Sequence, residues 1–124
     1  AGWALKFKIM FPDNFKVYRD YCKSGFLKPG GTLWYTPKAK HPRYICNFAT
    51  KNDWSKSSDI AFIRSGLIQM SADVKTKKTD SIAIPALGCG LGGLKWEDVA
   101  DTIMNGGKEF SPDILLEVYE PWKY

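Results

Sequence analysis

The chain has 124 residues, of which 44% are apolar and 25% charged, and its formal net charge is +5. That length suits one hydrophobic core, so residues 1–124 are expected to form a single domain. No apolar run approaches ~18 residues and no charged-then-apolar leader opens the chain, so the sequence predicts neither a membrane span, nor a membrane partner, nor a secretion signal.

Cysteine and histidine are scarce. Cys22, Cys46 and Cys89 are odd in number and widely spaced, so they predict neither a disulfide framework nor a zinc site. His41 is the only histidine, which argues against chemistry that needs a histidine base or a pair of histidine ligands. The sequence therefore predicts no metal and no cofactor. Unpaired thiols indicate a reducing compartment, the cytoplasm.

Charge is distributed unevenly along the chain. Residues 1–57 hold 11 Lys/Arg against 3 Asp/Glu, a balance of +8, whereas residues 58–124 hold 7 against 10, a balance of −3. This asymmetry indicates an anionic partner that contacts the first half of the chain. The alternative is that scattered lysines only keep a small domain soluble, because no block of five like charges occurs.

The first half of the chain predicts two helices followed by two strands. The first helix begins at once, and its apolar face contains Trp3, Ala4, Phe7 and Phe11. Residues 12–14 interrupt the pattern, and a second helix then ends at Gly25, a glycine cap. Residues 32–36 and 44–48 are strand-like. They could pair as a hairpin or lie apart in one sheet.

The second half alternates helices with short strands. The strongest helical spacing comprises Ile60, Ile63, Leu67, Met70 and Val74, after Ser57 or Ser58 as the expected N-cap. Residues 81–84 predict a buried strand, residues 96–105 a helix, and residues 114–119 a last strand. This alternation predicts an α/β fold with a mainly parallel sheet.

Residues 81–96 pass from a β-branched apolar run through Gly88, Gly90, Gly92 and Gly93 to the acidic first turn of a helix. That order places ligands at the carboxyl end of a strand in an open α/β sheet. Glycine exposes backbone N–H groups, which bind phosphates without side-chain charge. The spacing matches neither G-x-x-x-x-G-K-[ST] nor G-x-G-x-x-G, so a tight structural turn is the alternative.

At three places, in the same order, the chain resembles a macrodomain, the ADP-ribose-binding α/β/α fold. Residues 1–7 with Phe11-Pro12 resemble the end of the family's glycine-rich loop and its first helix. Residues 48–51 resemble the Thr-Lys strand end of one subgroup, and residues 84–99 resemble that subgroup's phosphate loop and following helix. The resemblance implies a three-layer α/β/α domain with a mixed, mainly parallel sheet.

The subgroup contains two activities. A bacterial antitoxin removes ADP-ribose from thymidine bases in DNA, and a terminal ADP-ribose glycohydrolase removes it from protein carboxylates. The protein-acting enzyme carries an aspartate where this chain has Gly92, so the DNA-acting antitoxin is the nearer resemblance. Family members also begin with one or two further strands and a loop of asparagine and glycines, which we expect to be missing ahead of Ala1.

The resemblance implies that ADP-ribose lies with its diphosphate on the backbone N–H groups of residues 87–92, near the amino end of the first helix. Cys89 is interpreted as a packing residue within that loop, since no histidine or clear cation adjoins it. The expected ADP-ribose-binding residues are Gly2, Trp3, Thr50, Pro85, Ala86, Leu87, Gly88, Cys89, Gly90, Leu91 and Gly92.

Lys51 is the expected catalytic residue of this resemblance. Its amine could attack the anomeric carbon, or the opened aldehyde, and form a Schiff-base-type adduct that water releases. The alternative is a solvated loop lysine. Asp53 is a weak candidate for a base, and Trp54 either stacks a nucleobase or fills the core.

The sequence therefore predicts an ADP-ribosyl glycohydrolase that acts on ADP-ribosylated DNA, with DNA and ADP-ribose as partners and an open oligomeric state. Four alternatives remain: a module that binds ADP-ribose without turnover, a protein ADP-ribosyl glycohydrolase, an ADP-ribose phosphate phosphatase, and a chain that needs its missing strands to bind nucleotide.

Overall fold

Two helices and two strands are followed by alternating helices and strands in a computed structural model, which describes residues 3–51, 57–90 and 92–121, without the side chains of Trp3 and Ala4. Short 3₁₀ turns follow α3 and α4, at Val74–Thr76 and Gly107–Glu109. The elements are α1 (Trp3–Met10), α2 (Pro12–Ser24), β1 (Thr32–Tyr35), β2 (Ile45–Phe48), α3 (Ile60–Asp73), β3 (Ser81–Ile84), α4 (Trp96–Gly106) and β4 (Leu115–Val118).

Local chemistry sets the helix ends, and one end differs from the sequence prediction. Gly25 closes α2 at φ +80°, in the left-handed region, as predicted. The expected Ser57 or Ser58 cap of α3 is wrong, because Asp59 is the N-cap and its carboxylate accepts the Ala61 N–H at 2.9 Å. Ser58 does not cap the helix, since its hydroxyl is hydrogen-bonded to the hydroxyl of Thr50.

The four strands form two pairs. β1 and β2 are antiparallel with Thr32 opposite Phe48, so the hairpin alternative holds. β3 and β4 are parallel with Ser81 opposite Leu115, and α4 makes the crossover between them. The strand directions are therefore mixed, as in the α/β class that the sequence predicted.

Alternation along β2 places helices on both of its faces. Cys46 and Phe48 pack against the core formed with α3 and α4, whereas Asn47 lies on the other face and bonds Asn14 of α2. Successive side chains of a strand point to opposite faces, so α2 covers one face while α3 covers the other. This arrangement is the three-layer α/β/α order.

The core lies between the strands and the packed helices α3 and α4. Ile63, Leu67, Val99 and Ile103 are fully buried there, at the helical spacing that the sequence predicted. Gly66 lets α3 approach β2 closely, because a Cβ at that position would lie 2.7 Å from the Phe48 ring. None of the described helices is long and apolar enough to cross a membrane.

Strands β2 and β3 both line an open cavity. At their amino ends the Arg43 guanidinium donates to the Lys78 carbonyl at 2.7 Å, and at their carboxyl ends the following loops are bonded through Ser58. No backbone hydrogen bond joins β2 to β3 among the described residues. The cavity therefore extends between the two strand pairs.

Candidate functional site

A cavity of about 1620 Å³ begins where β2 and β3 end. Its lining contains Thr50 and Lys51 after β2, and Pro85, Ala86, Leu87, Gly88, Cys89, Gly90 and Gly92 after β3. Small-molecule pockets usually have ~300–1,000 Å³, and the larger volume here includes the space between the two strand pairs. The described residues of the predicted ADP-ribose site, Trp3 apart, therefore line one cavity, in the loops that follow β2 and β3.

Ser58 holds the two halves of this site together. Its hydroxyl oxygen lies 3.1 Å from that of Thr50, and its N–H donates to the Gly92 carbonyl at 2.9 Å. The next residue, Asp59, donates its N–H to the Thr50 carbonyl at 3.0 Å. Ser58 is only 6% exposed, so these bonds are shielded from water. The segment Thr50-Lys51 is thereby fixed relative to the glycine loop.

Some backbone donors of the glycine loop are used inside the loop and others remain available. The N–H of Leu87 donates to Pro85 O at 2.8 Å, and that of Cys89 donates to Ala86 O at 3.3 Å. The N–H groups of Gly88, Gly90 and Gly92 make no backbone hydrogen bond to the described residues. These alternate donors are the ones that could bind a phosphate.

Gly92 has no room for a side chain. A Cβ at this position would collide with the hydroxyl of Ser58 and would lie 2.5 Å from the Gly88 carbonyl oxygen. Gly88 is restricted as well, because its φ is +72° and a Cβ there would lie 2.7 Å from Leu94 Cδ1. An aspartate at position 92 is therefore incompatible with this loop.

Helix α4 follows the glycine loop but adds little to the site. None of its residues lines the cavity, and Glu97 and Asp98 occupy its first turn, where they interact with the positive end of the helix dipole. Among the described residues, the donors for an anion thus come from the loop.

The remaining predicted site residues vary in how far the structure describes them. Lys51 is half-buried at the cavity wall, directly after Thr50. Helix α1 begins at Trp3, whose side chain lies outside the description. Gly2, Asp53, Trp54 and Leu91 lie outside the described residues.

The lining of the cavity is strongly basic. Asp80 is the one carboxylate among the described lining residues, against eight lysines and arginines. Cationic walls around a concave site concentrate anionic ligands there. The basic residues are Lys8, Arg19, Lys23, Lys28, Lys40, Arg43, Lys51 and Lys78.

Two polar residues of α2, Asn14 and Tyr18, line the cavity and form hydrogen bonds to β2. The sequence analysis did not predict them as site residues. Asn14 and Asn47 exchange amide hydrogen bonds of 3.0 and 2.9 Å, and Asn14 is 4% exposed. The Tyr18 hydroxyl donates to Phe48 O at 3.3 Å, and burial raises the pKa of Tyr18 above its ordinary value. A buried asparagine gives no periodic signal, so only its contacts identify it.

Cys89 is a packing residue, as its neighbours in sequence indicated. Burial raises the pKa of its thiol, and the Glu97 carboxylate raises it further, so the reactive thiolate is disfavoured. The thiol donates weakly to Leu87 O at 3.7 Å. Among the described residues no group of three or more His, Cys, Asp or Glu could hold a metal ion.

Known proteins resemble this chain over nearly its whole length. The DNA ADP-ribosyl glycohydrolase of Mycobacterium tuberculosis is 36% identical over 121 residues, which cover 97% of this chain and 34% of that protein. The protein of the same description from Thermus aquaticus is 38% identical over 122 residues, 97% of this chain and 33% of its own length. The chain thus spans about a third of the length of these curated relatives.

Solved structures and a family profile agree with these relatives. The macrodomain of Mycobacterium tuberculosis DarG superposes with a TM-score of 0.89 at 34% identity, over 98% of this chain and 80% of that one. Thermosipho africanus DarTG in complex with ADP-ribose superposes with a TM-score of 0.86 at 32% identity, over 100% of this chain and 35% of that one. The Macro domain profile matches residues 1–103, and the chain therefore belongs to the Macro domain family.

Proposed function

We propose that this chain binds ADP-ribose in the basic cavity and removes ADP-ribosyl groups from DNA, with Lys51 as the catalytic residue. One observation carries the proposal. Thr50-Lys51 and the glycine loop come from different strands, and Ser58 bonds them to each other at the cavity wall through its 3.1 Å hydroxyl contact and its 2.9 Å N–H bond. A nucleophile and a phosphate-binding loop are thereby held at a fixed separation.

Binding of ADP-ribose is supported by the loop and by a relative. The N–H groups of Gly88, Gly90 and Gly92, which make no backbone hydrogen bond to the described residues, suit the diphosphate, and Pro85 and Ala86 line the same cavity. A structure described as a complex with ADP-ribose shares this fold at 32% identity. The excess of basic over acidic residues in the lining, with Lys51 directly after Thr50, favours an anion that carries two phosphates.

The amine of Lys51 would act as a nucleophile at the anomeric carbon of the ribose. A new carbon–nitrogen bond forms there while the bond to the base breaks, and the electron pair leaves with the base, which takes up a proton. The sugar adduct opens to a Schiff base, and water then releases ADP-ribose and restores the amine. No acidic side chain at position 92 takes part in these steps, because Gly92 has no space for one.

DNA as the carrier of the ADP-ribosyl group is supported by charge and by similarity. Eight of the nine charged residues that line the cavity are basic, which fits a polyanionic substrate. Relatives that cover 97% of this chain are described as DNA ADP-ribosyl glycohydrolases. The three cysteines are free thiols, which fits a cytoplasmic location.

The test compares the natural chain with Lys51→Ala and Lys51→Arg. Calorimetry measures ADP-ribose binding, with ADP and AMP as controls, and electrophoresis follows release of ADP-ribose from a modified single-stranded oligonucleotide. We expect binding to persist in both variants while release falls by at least a hundredfold. Unchanged release by Lys51→Ala would overturn the catalytic role of Lys51. Saturable binding without release by the natural chain would identify a binding module instead.

A further inference from the structure

Phe26 is the most exposed of the large apolar side chains in the described part of the chain, at 85%. It lies in the turn after α2, and both of its sequence neighbours, Gly25 and Leu27, line the same cavity as Thr50 and Lys51. A single exposed apolar residue is common in soluble proteins. Phe26 differs from such a residue in how its backbone is held and in what surrounds its ring.

The turn that presents Phe26 is bonded on both sides of it. Gly25 N–H donates to Cys22 O at 3.2 Å, and Leu27 N–H donates to Tyr21 O at 3.1 Å. Leu27 is only 8% exposed and fastens the turn to the protein interior. The Phe26 ring is thus presented to solvent from a fixed backbone, and a ligand that uses it pays little ordering entropy.

A second aromatic side chain adjoins it. The Tyr21 ring is 44% exposed, and its centroid lies 6.2 Å from that of Phe26 with the planes tilted by 51°. The tilt means that Tyr21 does not cover the Phe26 ring face to face. We call these two rings, Tyr21 and Phe26, the aromatic platform.

Positive charge surrounds the aromatic platform. Lys23 and Lys28 flank Phe26, line the cavity and are exposed, and neither forms an ion pair with a carboxylate among the described residues. Residues 16–28 contain four basic residues and one acidic residue, Asp20. Exposed aromatic rings interleaved with lysines and arginines are the composition of surfaces that bind single-stranded nucleic acid.

The aromatic platform is tied to the proposed catalytic segment. Gly30 N–H donates to Ala49 O at 2.8 Å, and Ala49 N–H donates to Gly31 O at 3.1 Å. Ala49 immediately precedes Thr50 and Lys51. The segment that follows the Phe26 turn is therefore bonded directly to the residue before Thr50 and Lys51.

We propose that the aromatic platform stacks a base of single-stranded DNA that neighbours the ADP-ribosylated nucleotide, while Lys23 and Lys28 contact the flanking phosphates. The proposal rests on the proposed function of the cavity. It commits to a single strand, because the face of a base is available to an aromatic ring only when the base is unstacked.

The test measures steady-state hydrolysis of two substrates, an ADP-ribosylated single-stranded oligonucleotide of about ten nucleotides and the corresponding modified single nucleotide. Phe26→Ala should raise KM for the oligonucleotide about tenfold, within the range for loss of one stacked base. KM for the single nucleotide and Kd for ADP-ribose should not change. Phe26→Trp keeps an aromatic ring and should give the oligonucleotide KM of the natural chain. Met104→Ala, which removes a side chain 67% exposed on α4, should not change that KM.

A salt titration tests the lysines. Lys23→Gln and Lys28→Gln should each lower the slope of log KM against log salt concentration for the oligonucleotide by about 0.7, the value for one phosphate on a single strand. Equal KM values of the natural chain for oligonucleotide and single nucleotide would overturn the aromatic platform and leave the proposed function standing.

A binding measurement separates this proposal from the proposed activity. Fluorescence anisotropy with an unmodified single-stranded oligonucleotide needs no turnover, so it reports on the aromatic platform even if the chain hydrolyses neither substrate. We expect weaker binding by Phe26→Ala than by the natural chain. Equal affinity of the two, or tighter binding of a duplex than of a single strand, would overturn the proposal.

Discussion

The hydroxyl of Ser58, a buried residue, lies 3.1 Å from the hydroxyl of Thr50 at the cavity wall. The two residues lie in no common helix or strand, because Thr50 comes after β2 and Ser58 precedes α3. The bond therefore sets the position of Lys51 by a contact between two separate loops. The N–H of the same serine fixes Gly92, so one residue connects both parts of the site.

Ser58→Ala should reduce catalysis more than ADP-ribose binding. The Thr50 hydroxyl loses its protein partner, which costs about 0.5–1.5 kcal/mol of folding stability, and Lys51 loses a positional restraint. A displacement of about 1 Å at a reacting group can lower a rate a hundredfold, so we expect kcat to fall at least tenfold while Kd for ADP-ribose changes little. Single-turnover kinetics and calorimetry measure the two quantities.

Ser57→Ala is the matched control, because Ser57 is exposed and next in sequence. Thr50→Val completes a double-mutant cycle with Ser58→Ala. If the two hydroxyls act as a pair, the losses in kcat should be clearly less than additive. Additive losses would show that the 3.1 Å contact has no catalytic consequence.

Gly92→Ala should disrupt the glycine loop, whereas Gly90→Ala should not. A Cβ at Gly92 meets the Ser58 hydroxyl and the Gly88 carbonyl oxygen, and a carbonyl cannot move without its backbone. A Cβ at Gly90 meets nothing within 4 Å, and its φ is not in the left-handed region. We expect Kd for ADP-ribose to rise at least tenfold in Gly92→Ala and to stay within about twofold in Gly90→Ala.

The same geometry makes a prediction about specificity. Gly92→Asp introduces the carboxylate that protein-acting relatives are expected to carry, but the loop cannot hold it in this conformation. We expect no gain of activity on ADP-ribosylated protein carboxylates. A measurable gain, with retained ADP-ribose binding, would show that the loop can open at Ser58.

The sequence predicted those features that depend on local patterns. The spacing of Ile60, Ile63 and Leu67 identified α3, because one buried face of a helix imposes that period. The glycine at position 25 identified the end of α2, because the left-handed region favours glycine. The meeting of Thr50-Lys51 with the glycine loop came from a family resemblance, which carries tertiary information that periodicity lacks.

The missed features depend on contacts between distant residues. Ser58 was predicted as an N-cap because serine often has that role, but its hydroxyl bonds Thr50 and leaves Asp59 to cap α3. The sequence analysis predicted that Asn14 lies between two helices. It lies inside α2 and forms a hydrogen bond with Asn47, 33 positions away in sequence. Phe26 gave no signal at all, since its exposure follows from where the chain around it is fastened.

Cys46 should make stability depend on pH above the neutral range. Burial and, to a smaller extent, the Asp73 carboxylate raise the pKa of its thiol to about 12, and the nearby Thr32 hydroxyl and Lys77 charge partly oppose this. In the unfolded chain the thiol ionises near pH ~8.5. Between these values the unfolded state loses a proton that the folded state keeps. The contribution to stability is therefore complete below pH ~8.5 and is lost as the pH rises toward 12.

Urea unfolding at pH values from about 7.5 to 10.5 measures this dependence. We expect the free energy of unfolding of the natural chain to fall above pH ~8.5, with a contribution from Cys46 of up to about 1.4 kcal/mol per pH unit. Cys46→Ala should remove that contribution and flatten the curve, whatever its effect at neutral pH. Cys22→Ala changes an exposed thiol and should keep most of the slope. Parallel curves for the natural chain and Cys46→Ala would mean that Cys46 titrates alike in both states.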